Sequence, residues 1–436
     1  MAGSSNKQIG IGILGLGTIG TGTATVLLKN RELLAERLGV ELRVVAAADL
    51  DPHRDRGIDL SRVALGTDPA AVIHHPQVDI VVELIGGTTL ALDLVREALT
   101  AGKPVVTANK ALLARHGEEL FALAMDHAVA LRFEAAVGGG IPIIKALTEG
   151  LVANRVEAVY GIVNGTCNYI LTEMDSTGAD FDAVLKEAMA LGYAEADPTI
   201  DIEGIDAAHK AAILARLAFD TPIDFASIPV EGIAKLGAID TQFARQLGYV
   251  VKLLAVVKRA GESVDVRVHP TMLPADALLA KVVGVFNAVV VRGDAVGETL
   301  YYGPGAGALP TASAVVADIA EIAERLSDGG AHRAHPCSHR TLAPRPLLPI
   351  AEVETPFYIR FDSEDRPGVL SKISGALGNH GISIDQVRQH GRHHGGTVPL
   401  VILTHDAVEG NLRRALVEIE ELGVTAGPAV VIRVED

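Results

Sequence analysis

Short apolar runs alternate with amphipathic stretches along the first part of the chain. Residues 8–14 form an apolar run, and GLGTIGTGTATVLLKN follows it directly. The pattern predicts a strand, a Gly-rich turn and a helix. RVVAAADLD (43–51) predicts a second strand ending in acid, and VDIVVELIGG (78–87) a third closed by two glycines. A helix from Leu90 to Ala101 leads to KPVVTANK (103–110), a fourth strand. HAVALRFEAAVGGGIPII (127–144) predicts a fifth strand and a Gly-rich turn. Strand–helix alternation at this rhythm is the mark of a parallel, doubly wound α/β sheet.

The rhythm changes near residue 150. NRVEAVYGIVNGTCNYILTEM reads as strand, polar turn and helix, and FDAVLKEAMALG has helical spacing up to Gly192. GYAEADPTIDIEGIDAAHKAAILA (192–215) then crowds Glu195, Asp197, Asp201, Glu203 and Asp206 ahead of an Ala-rich helix that carries Lys210. VVKLLAVVKRAGESVDVRVHPTML and KVVGVFNAVVVRGD predict strands of an antiparallel sheet, and TASAVVADIAEIAERLSDG (311–329) a strongly amphipathic helix. The Pro-, His- and Arg-rich stretch at 331–355 reads as a linker. The tail, 356–436, parses as strand, helix, strand, strand, helix, strand, a split βαβ pattern. The expected division is therefore 1–150, 151–310, 311–330, 331–355 and 356–436.

Composition narrows the class. A chain of 436 residues is too long for one ordinary domain. The absence of Trp and the 4% aromatic content, with 49% hydrophobic residues, fit α/β layers. A formal net charge of −16 argues against a nucleic-acid surface and against anionic membrane. No apolar run reaches the roughly eighteen residues of a membrane span. MAGSSNKQ lacks the apolar core of a signal peptide, so a cytoplasmic protein is expected. Two cysteines, Cys167 and Cys337, make neither a disulfide framework nor a CxxC metal site.

Three glycines carry the first chemical signal. Gly15, Gly17 and Gly20 form GxGxxG between a strand and a helix, with Thr18 and Ile19 opening that helix. The first glycine permits a tight turn, the second lets a pyrophosphate approach the backbone, and the third lets helix and strand pack. The phosphates would rest on the helix N-terminus. Asp49 or Asp51, at the end of the second strand, can hold ribose hydroxyls as in NAD binding; Arg54 and Arg56 could instead meet the 2′-phosphate of NADP. The balance leans to NAD, with NADP open. Ala108, Asn109 and Lys110 end the fourth strand, where such sheets place ligands. The ordinary alternative for Lys110 is a surface lysine opening a helix.

Together GLGTIG, TANK (107–110), EAAVGGGIPII (134–144), NGTCNYIL (164–171) and GYAEADPTIDIEGIDAAHK (192–210) resemble the homoserine dehydrogenase family over about residues 8–328. The last motif is long and the most specific. The tail, through DRPGVLSKISGAL and GISI (365–384), resembles an ACT domain, a small amino-acid-binding regulatory module. The resemblance implies a Rossmann-like doubly wound sheet over 1–150, an α+β substrate-binding, catalytic and oligomerisation domain over 151–310, a helix over 311–330 returning to the nucleotide domain, and a βαββαβ ferredoxin-like ACT domain over 356–436. It implies the NAD(P)H-dependent, reversible reduction of L-aspartate 4-semialdehyde to L-homoserine, on the way to threonine, isoleucine and methionine.

Hydride delivery to an aldehyde leaves charge on oxygen, which calls for a donor that stabilises it and supplies a proton. Lys210 suits this role, and its apolar helix could lower its pKa by desolvation. Asp206, at i−4, lies on the same helix face and can orient the ammonium or relay a proton. Spacing alone would favour an ordinary ion pair worth about 0.3–0.5 kcal/mol; the family motif reverses that. In the family the TANK lysine also faces the reacting centre, so Lys110 is a second proton donor candidate. Glu195 corresponds to the family's substrate glutamate, a partner for the α-ammonium. Asp201 belongs to the same cluster and would bind the substrate hydroxyl or hold Lys110. Asn164, Gly165 and Thr166 would line the pocket beside the turn at Gly192 and Tyr193, while Asp197 and Glu203 read better as solvated loop acids.

The family also holds a monovalent cation, usually sodium, which carries over to Glu134, Val137, Gly139 and Ile141; carbonyls of a Gly-rich turn suit a hard cation. Without an ion, the same segment is simply a tight turn. Gly303, Gly305 and Gly307 would bring the chain back to the nucleotide domain, with Gly303 near the cofactor. ACT modules usually pair across subunits, so a homodimer or homotetramer is expected, with an amino-acid effector, threonine being the expected one.

Two rival readings remain. Cys167 could act as the nucleophile of a semialdehyde dehydrogenase, but NGTCNYIL offers no neighbouring base, and a small pocket or core residue is expected. A nucleotide- and amino-acid-sensing regulator without catalysis would not need Glu195, Asp206 and Lys210 together. His209 points to another helix face and reads as structural. The histidines of HGRHH (390–394) read as a solvated hairpin rather than a metal tract.

Overall fold

A computed structural model describes residues 7–329, 334, 336, 344–389 and 396–435. Cys337, the HGRHH stretch, the extreme N-terminus and much of the expected linker lie outside the described residues. The chain forms two compact units, one of residues 1–159, 209–226 and 287–345, the other of 160–208, 227–286 and 346–436.

The first unit is built on six parallel strands: β1 (Lys7–Leu14), β2 (Val40–Ala48), β3 (Ala64–Gly66), β4 (Ile80–Glu83), β5 (Val105–Thr107) and β6 (Leu131–Arg132). They lie in the order β3-β2-β1-β4-β5-β6. The direction of winding reverses between β1 and β4, which opens a crevice at the carboxyl ends of those strands. Between them run α1 (Thr18–Lys29), α2 (Arg31–Leu38), α3 (Pro69–Ile73), α4 (Leu90–Thr100) and α5 (Lys110–Asp126). The strands are apolar on both faces because helices cover both.

Two segments differ from expectation. Three-residue β3 is too short to show a period in sequence. The strand expected within 127–144 shrinks to β6, because the Glu134 amide leaves the ladder and donates instead to Asp318 Oδ2 at 2.7 Å. The chain then turns through a 3₁₀ segment, Glu134–Ala136, into α6 (Ile143–Lys145).

β7 (Val156–Ile162) and α7 (Gly165–Thr177) follow, then α8 (Phe181–Ala190), α9 (Thr199–Ile202), α10 (Ile205–Phe219) and α11 (Ala238–Gln246). In the second unit, β8 (Tyr249–Ala260) and β9 (Ser263–Pro274) form a long antiparallel hairpin. β10 (Phe286–Gly293) and β11 (Gly297–Pro304) are neighbouring strands that lead to α12 (Ala308–Asp328). α12 starts three residues earlier than its apolar period indicates; Pro310 falls in its first turn, where a missing amide costs nothing. Its buried stripe, Val315, Ile319, Ile322 and Ala323, packs into the same core as Ile11, Ile13 and Val82 of the parallel sheet.

The tail contains β12 (Glu354–Thr355), β13 (Phe357–Glu364), α13 (Val369–Asn379), β14 (Ile384–Gln389), β15 (Thr397–Thr404), β16 (Ala407–Val408), α14 (Glu409–Glu421) and β17 (Val430–Val434). The strands β17, β13, β15 and β14 lie antiparallel in that order, with a core of Phe357, Ile359, Phe361, Ile373, Leu377, Leu412 and Ile419 beneath the two helices. On its other side β17 runs parallel to β9, so the second unit contains a mixed sheet. No helix among the described residues is long and apolar enough to cross a membrane.

Candidate active site

The Gly-rich turn after β1 has the stereochemistry of a phosphate-binding loop. Gly15 sits at φ +92°, where an L side chain is strained, and its amide donates to Ala48 O at 2.8 Å. A Cβ on Gly20 would lie 1.9 Å from Gly15 O, so helix and turn are packed backbone to backbone. A Cβ on Gly17 would meet nothing within 4 Å. Gly17 therefore faces open space at the start of α1, with Thr18 and Ile19 as the first helical residues.

Asp49, beyond β2, is tied to that loop. Its Oδ2 accepts from the Leu16 amide at 2.7 Å and its Oδ1 pairs with Arg56 Nη2 at 2.9 Å. Burial works to raise its pKa, but amide bonds from Asp51 and Leu16 and the Arg56 guanidinium outweigh this and hold it below the ordinary value. Arg56 also donates to Leu16 O and Asp51 O. Sequence reasoning singled out both residues but not their pairing.

At the end of β4, buried Glu83 accepts from the amides of Ile85 and Gly86 and from Thr107 Oγ1 at 2.6 Å. Asn109 donates to Gly87 O at 2.7 Å and caps α5 by accepting from the Leu112 amide at 3.1 Å. Lys110 is thus the first residue of α5, following Ala108 and Asn109 at the carboxyl end of β5. The Glu83–Thr107 bond is a support that sequence reading missed; its one signal is an acid ending an otherwise apolar strand.

The second unit assembles the acidic motif around Asn164. This residue caps α7, its Oδ1 accepting from the Cys167 amide at 2.8 Å. Its Nδ2 donates to Asp201 Oδ1 at 2.7 Å and Asp206 Oδ2 at 2.9 Å. One amide thereby holds two carboxylates from different parts of the motif. Thr166 Oγ1 donates to Tyr193 O at 2.7 Å, and Gly165 packs so closely that a Cβ would lie 2.6 Å from Val285 O. Gly192 turns the chain at φ +76°. Glu195 is exposed. Asp197 accepts from the Thr199 amide and hydroxyl, which hold its pKa low; it builds its own turn.

Asp206 and Lys210 lie four residues apart on α10, 5% and 8% exposed. Ala207, Ala208, Ala211 and Leu214 around them are buried as well. The ordinary surface ion pair would keep both groups in water, which this helix does not. His209 stacks on Phe225 with ring centroids 4.6 Å apart, in keeping with a structural role. Cys167 is fully buried, with Sγ 3.1 Å from Asp201 O, so an incoming aldehyde does not reach it in this conformation. Its thiol contributes to packing beneath the acidic loop, which removes the main support for the Cys-dependent reading.

In the first unit the turn Glu134–Ile141 carries successive left-handed glycines, Gly138 and Gly139, at φ +70° and +55°. A Cβ on Gly139 would lie 2.5 Å from Gly305 O, while Gly303 packs near Ile141. The Glu134 carboxylate accepts from the Ile144 and Lys145 amides at 2.8 and 2.9 Å. Burial and the nearby Asp318 carboxylate push its pKa up to about 7. Burial raises Asp318 to about 7 as well, against the opposing pull of Lys145. Asp318 escaped sequence reading, although an acid on the apolar stripe of α12 was the available signal. Among the described residues no group of three or more His, Cys, Asp or Glu side chains could hold a metal ion.

Family models place this geometry. Residues 15–134 match the homoserine dehydrogenase NAD-binding domain, 142–320 match homoserine dehydrogenase and 357–421 match the ACT domain. The chain is 49% identical over 434 residues to the homoserine dehydrogenase of Neisseria gonorrhoeae, covering 98% of this chain and 99% of that one. The chain belongs to the homoserine dehydrogenase family. The homoserine dehydrogenase of Pseudomonas aeruginosa is 47% identical over 434 residues, with 98% and 99% coverage. Among solved structures, the Thiobacillus denitrificans homoserine dehydrogenase superposes with a TM-score of 0.94 at 49% identity, covering 99% of each chain. A hyperthermophilic archaeal homoserine dehydrogenase in complex with NADPH matches with a TM-score of 0.62 at 30% identity, covering 74% of this chain and all of that one. As a homoserine dehydrogenase this protein is a nicotinamide-dependent oxidoreductase, with a Rossmann-like nucleotide-binding region and an appended ACT domain.

Proposed function

We propose that the enzyme reversibly reduces L-aspartate 4-semialdehyde to L-homoserine, in the route to threonine, isoleucine and methionine. The observation that carries this reading is the Asn164 amide holding Asp201 and Asp206 together, with Lys210 one helical turn beyond Asp206. A bound nicotinamide supplies the hydride. Gly15, Gly17, Thr18, Ile19 and Gly20 receive the pyrophosphate, Asp49 the adenosine ribose, and Ala108, Asn109, Lys110 and Gly303 line the nicotinamide end. The open face at Gly17 fits such a ligand. Both cofactors are compatible with the Asp49–Arg56 pair, since its carboxylate suits ribose hydroxyls and its guanidinium a 2′-phosphate. The NADPH complex of an archaeal relative favours a trial of NADPH first.

Glu195 meets the substrate ammonium, Asp201 binds the substrate hydroxyl or holds Lys110, and Asn164, Gly165, Thr166, Gly192 and Tyr193 line the pocket. As charge develops on the aldehyde oxygen, Lys210 stabilises it and gives up a proton. Asp206 orients that ammonium, and Lys110 is the second candidate donor. A monovalent cation, sodium by family precedent, would sit at the turn formed by Glu134, Val137, Gly139 and Ile141. The Glu134 carboxylate is already committed to two amides, so backbone carbonyls would be its main ligands.

We read 1–150 as the nucleotide domain, 151–310 as the substrate and oligomerisation domain, 311–330 as the returning helix, 331–355 as linker and 356–436 as the regulatory module. The enzyme would work in the cytoplasm as a homodimer or homotetramer with threonine as effector. A steady-state assay with NADH and NADPH tests the activity: no cofactor oxidation with aspartate semialdehyde would overturn it. Lys210→Ala should lower kcat by about 10²–10⁴-fold with a smaller change in KM. A near-normal kcat would remove Lys210 from the proton-transfer role.

A further inference from the structure

Within the second unit, β17 has two allegiances. Arg360 and Val430 pair it with β13 of its own module, while Arg433 and Val434 pair it with Thr271 and Met272 of β9. Arg433, 3% exposed, uses its whole guanidinium. Nε and Nη2 donate to the two oxygens of Glu409 at 2.8 and 2.6 Å. Nη1 and Nη2 donate to the two oxygens of Glu231 at 3.0 and 2.8 Å. Burial alone would lower the Arg433 pKa; the two carboxylates outweigh it and hold the pKa raised. Glu409 opens α14 of the ACT domain, so one arginine grips both that module and Glu231.

Glu231 belongs to a short segment running beside β9. The Val268 amide donates to Pro229 O at 3.0 Å, and the Glu231 amide donates back to Val268 O at 2.8 Å. This segment lies directly under the acidic loop. The Ile233 amide donates to Ile202 O at 2.8 Å. A Cβ on Gly232 would lie 2.2 Å from Ile202 O and 2.5 Å from Glu203 Cα. A Cβ on Gly204 would lie 3.2 Å from a Val230 methyl and 3.3 Å from a Val268 methyl. Such contacts leave no slack for the loop to move independently of 230–233. Asp201 immediately precedes Ile202, Asp206 follows Gly204 by two residues, and both are bonded to Asn164.

We propose that Glu231 is a positioning residue for the substrate-binding loop, and that Arg433 ties its position to the state of the ACT domain. This rests on the reading of Asn164, Asp201 and Asp206 as part of the substrate site. A displacement of β17 or α14 carries Arg433, Arg433 carries Glu231, and segment 230–233 carries the backbone that presents Asp201. The coupling uses a bidentate pair at one end and backbone packing at the other, both of which resist partial movement.

Glu231 is 46% exposed and can be truncated without stranding a buried charge, because Arg433 keeps Glu409. In the full-length enzyme, Glu231→Ala should raise KM for aspartate semialdehyde about five-fold or more. The kcat and the KM for NADPH should stay within about two-fold. Glu231→Gln still accepts a hydrogen bond from Arg433 and should restore most of the KM. Arg433→Lys cannot bridge both carboxylates; combined with Glu231→Ala it should raise KM no further than the single change. Asp201→Asn, measured alongside, separates the two ideas. If it raises KM while Glu231→Ala does not, the positioning role is wrong and the substrate site stands. If neither raises KM, both are wrong. A Glu231→Ala enzyme that loses kcat, both KM values and thermal stability together would mark Glu231 as merely structural and overturn the proposal.

Discussion

Glu195 and Asp206 show how differently two acids of one motif are used. Asp206 is buried and bonded to Asn164, whereas Glu195 stands exposed at the turn following Tyr193. An exposed acid held by a turn is well suited to meet an incoming ammonium, because it gives up little solvation until substrate arrives. Glu195→Gln should raise KM for aspartate semialdehyde about ten-fold or more, since bonds to a charged group contribute about 1.5–3 kcal/mol. An unchanged KM in steady-state assays would remove Glu195 from the ammonium-binding role. Cys167 carries the opposite lesson. Its sequence neighbourhood permits a catalytic reading, and its complete burial against Asp201 O supports the packing role expected from the missing base.

The loop from β1 to α1 separates two reasons for glycine. Gly20→Ala would drive a methyl into the Gly15 carbonyl, a backbone atom that cannot turn aside. It should cost about 1–3 kcal/mol of stability, read as a lowered Tm, and weaken NADPH binding. Gly17→Ala meets no protein atom, so Tm should hold while the KM for NADPH rises. Equal losses of Tm in both would contradict an open Gly17 face.

The turn after β6 offers a pH test. Glu134 and Asp318 have folded-state pKa values raised to about 7 from ordinary values of 4.5 and 3.8. The folded protein therefore holds protons that the unfolded chain has released, and stability falls as pH rises from about 4 through 7. Asp318→Asn should flatten this decline, seen as a smaller difference in Tm between pH 5 and pH 8. If a cation occupies the adjacent carbonyls, sodium chloride should raise the parent's Tm at pH 8 more than choline chloride does. Equal effects of the two salts would argue against the cation.

An ACT domain lies on the same chain as the dehydrogenase, with β17 paired to β9. Ligand bound only by the folded state raises stability by mass action. If threonine is the effector as proposed, millimolar threonine should raise Tm by this linkage and, as a feedback inhibitor, lower activity in the full-length enzyme. No change in either would exclude threonine as the effector. Sedimentation with and without threonine tests the proposed homodimer or homotetramer; a monomer under both conditions would overturn it.

Local chemistry was legible without coordinates. GxGxxG between an apolar run and a helix, the alternation of strands and helices, the split βαβ pattern of the tail and the acidic motif before Lys210 all depend on neighbours within a few residues. Their periods are written directly into side-chain polarity. What the chain alone leaves undetermined depends on partners distant in sequence. Asp318 draws the Glu134 amide out of β6, Arg56 occupies Asp49, Glu83 reaches Thr107, and Asn164 gathers Asp201 with Asp206. Arg433 joins Glu409, 24 positions away, and Glu231, 202 positions away. No periodicity announces these bonds, because each satisfies a polar group that only burial has deprived of water.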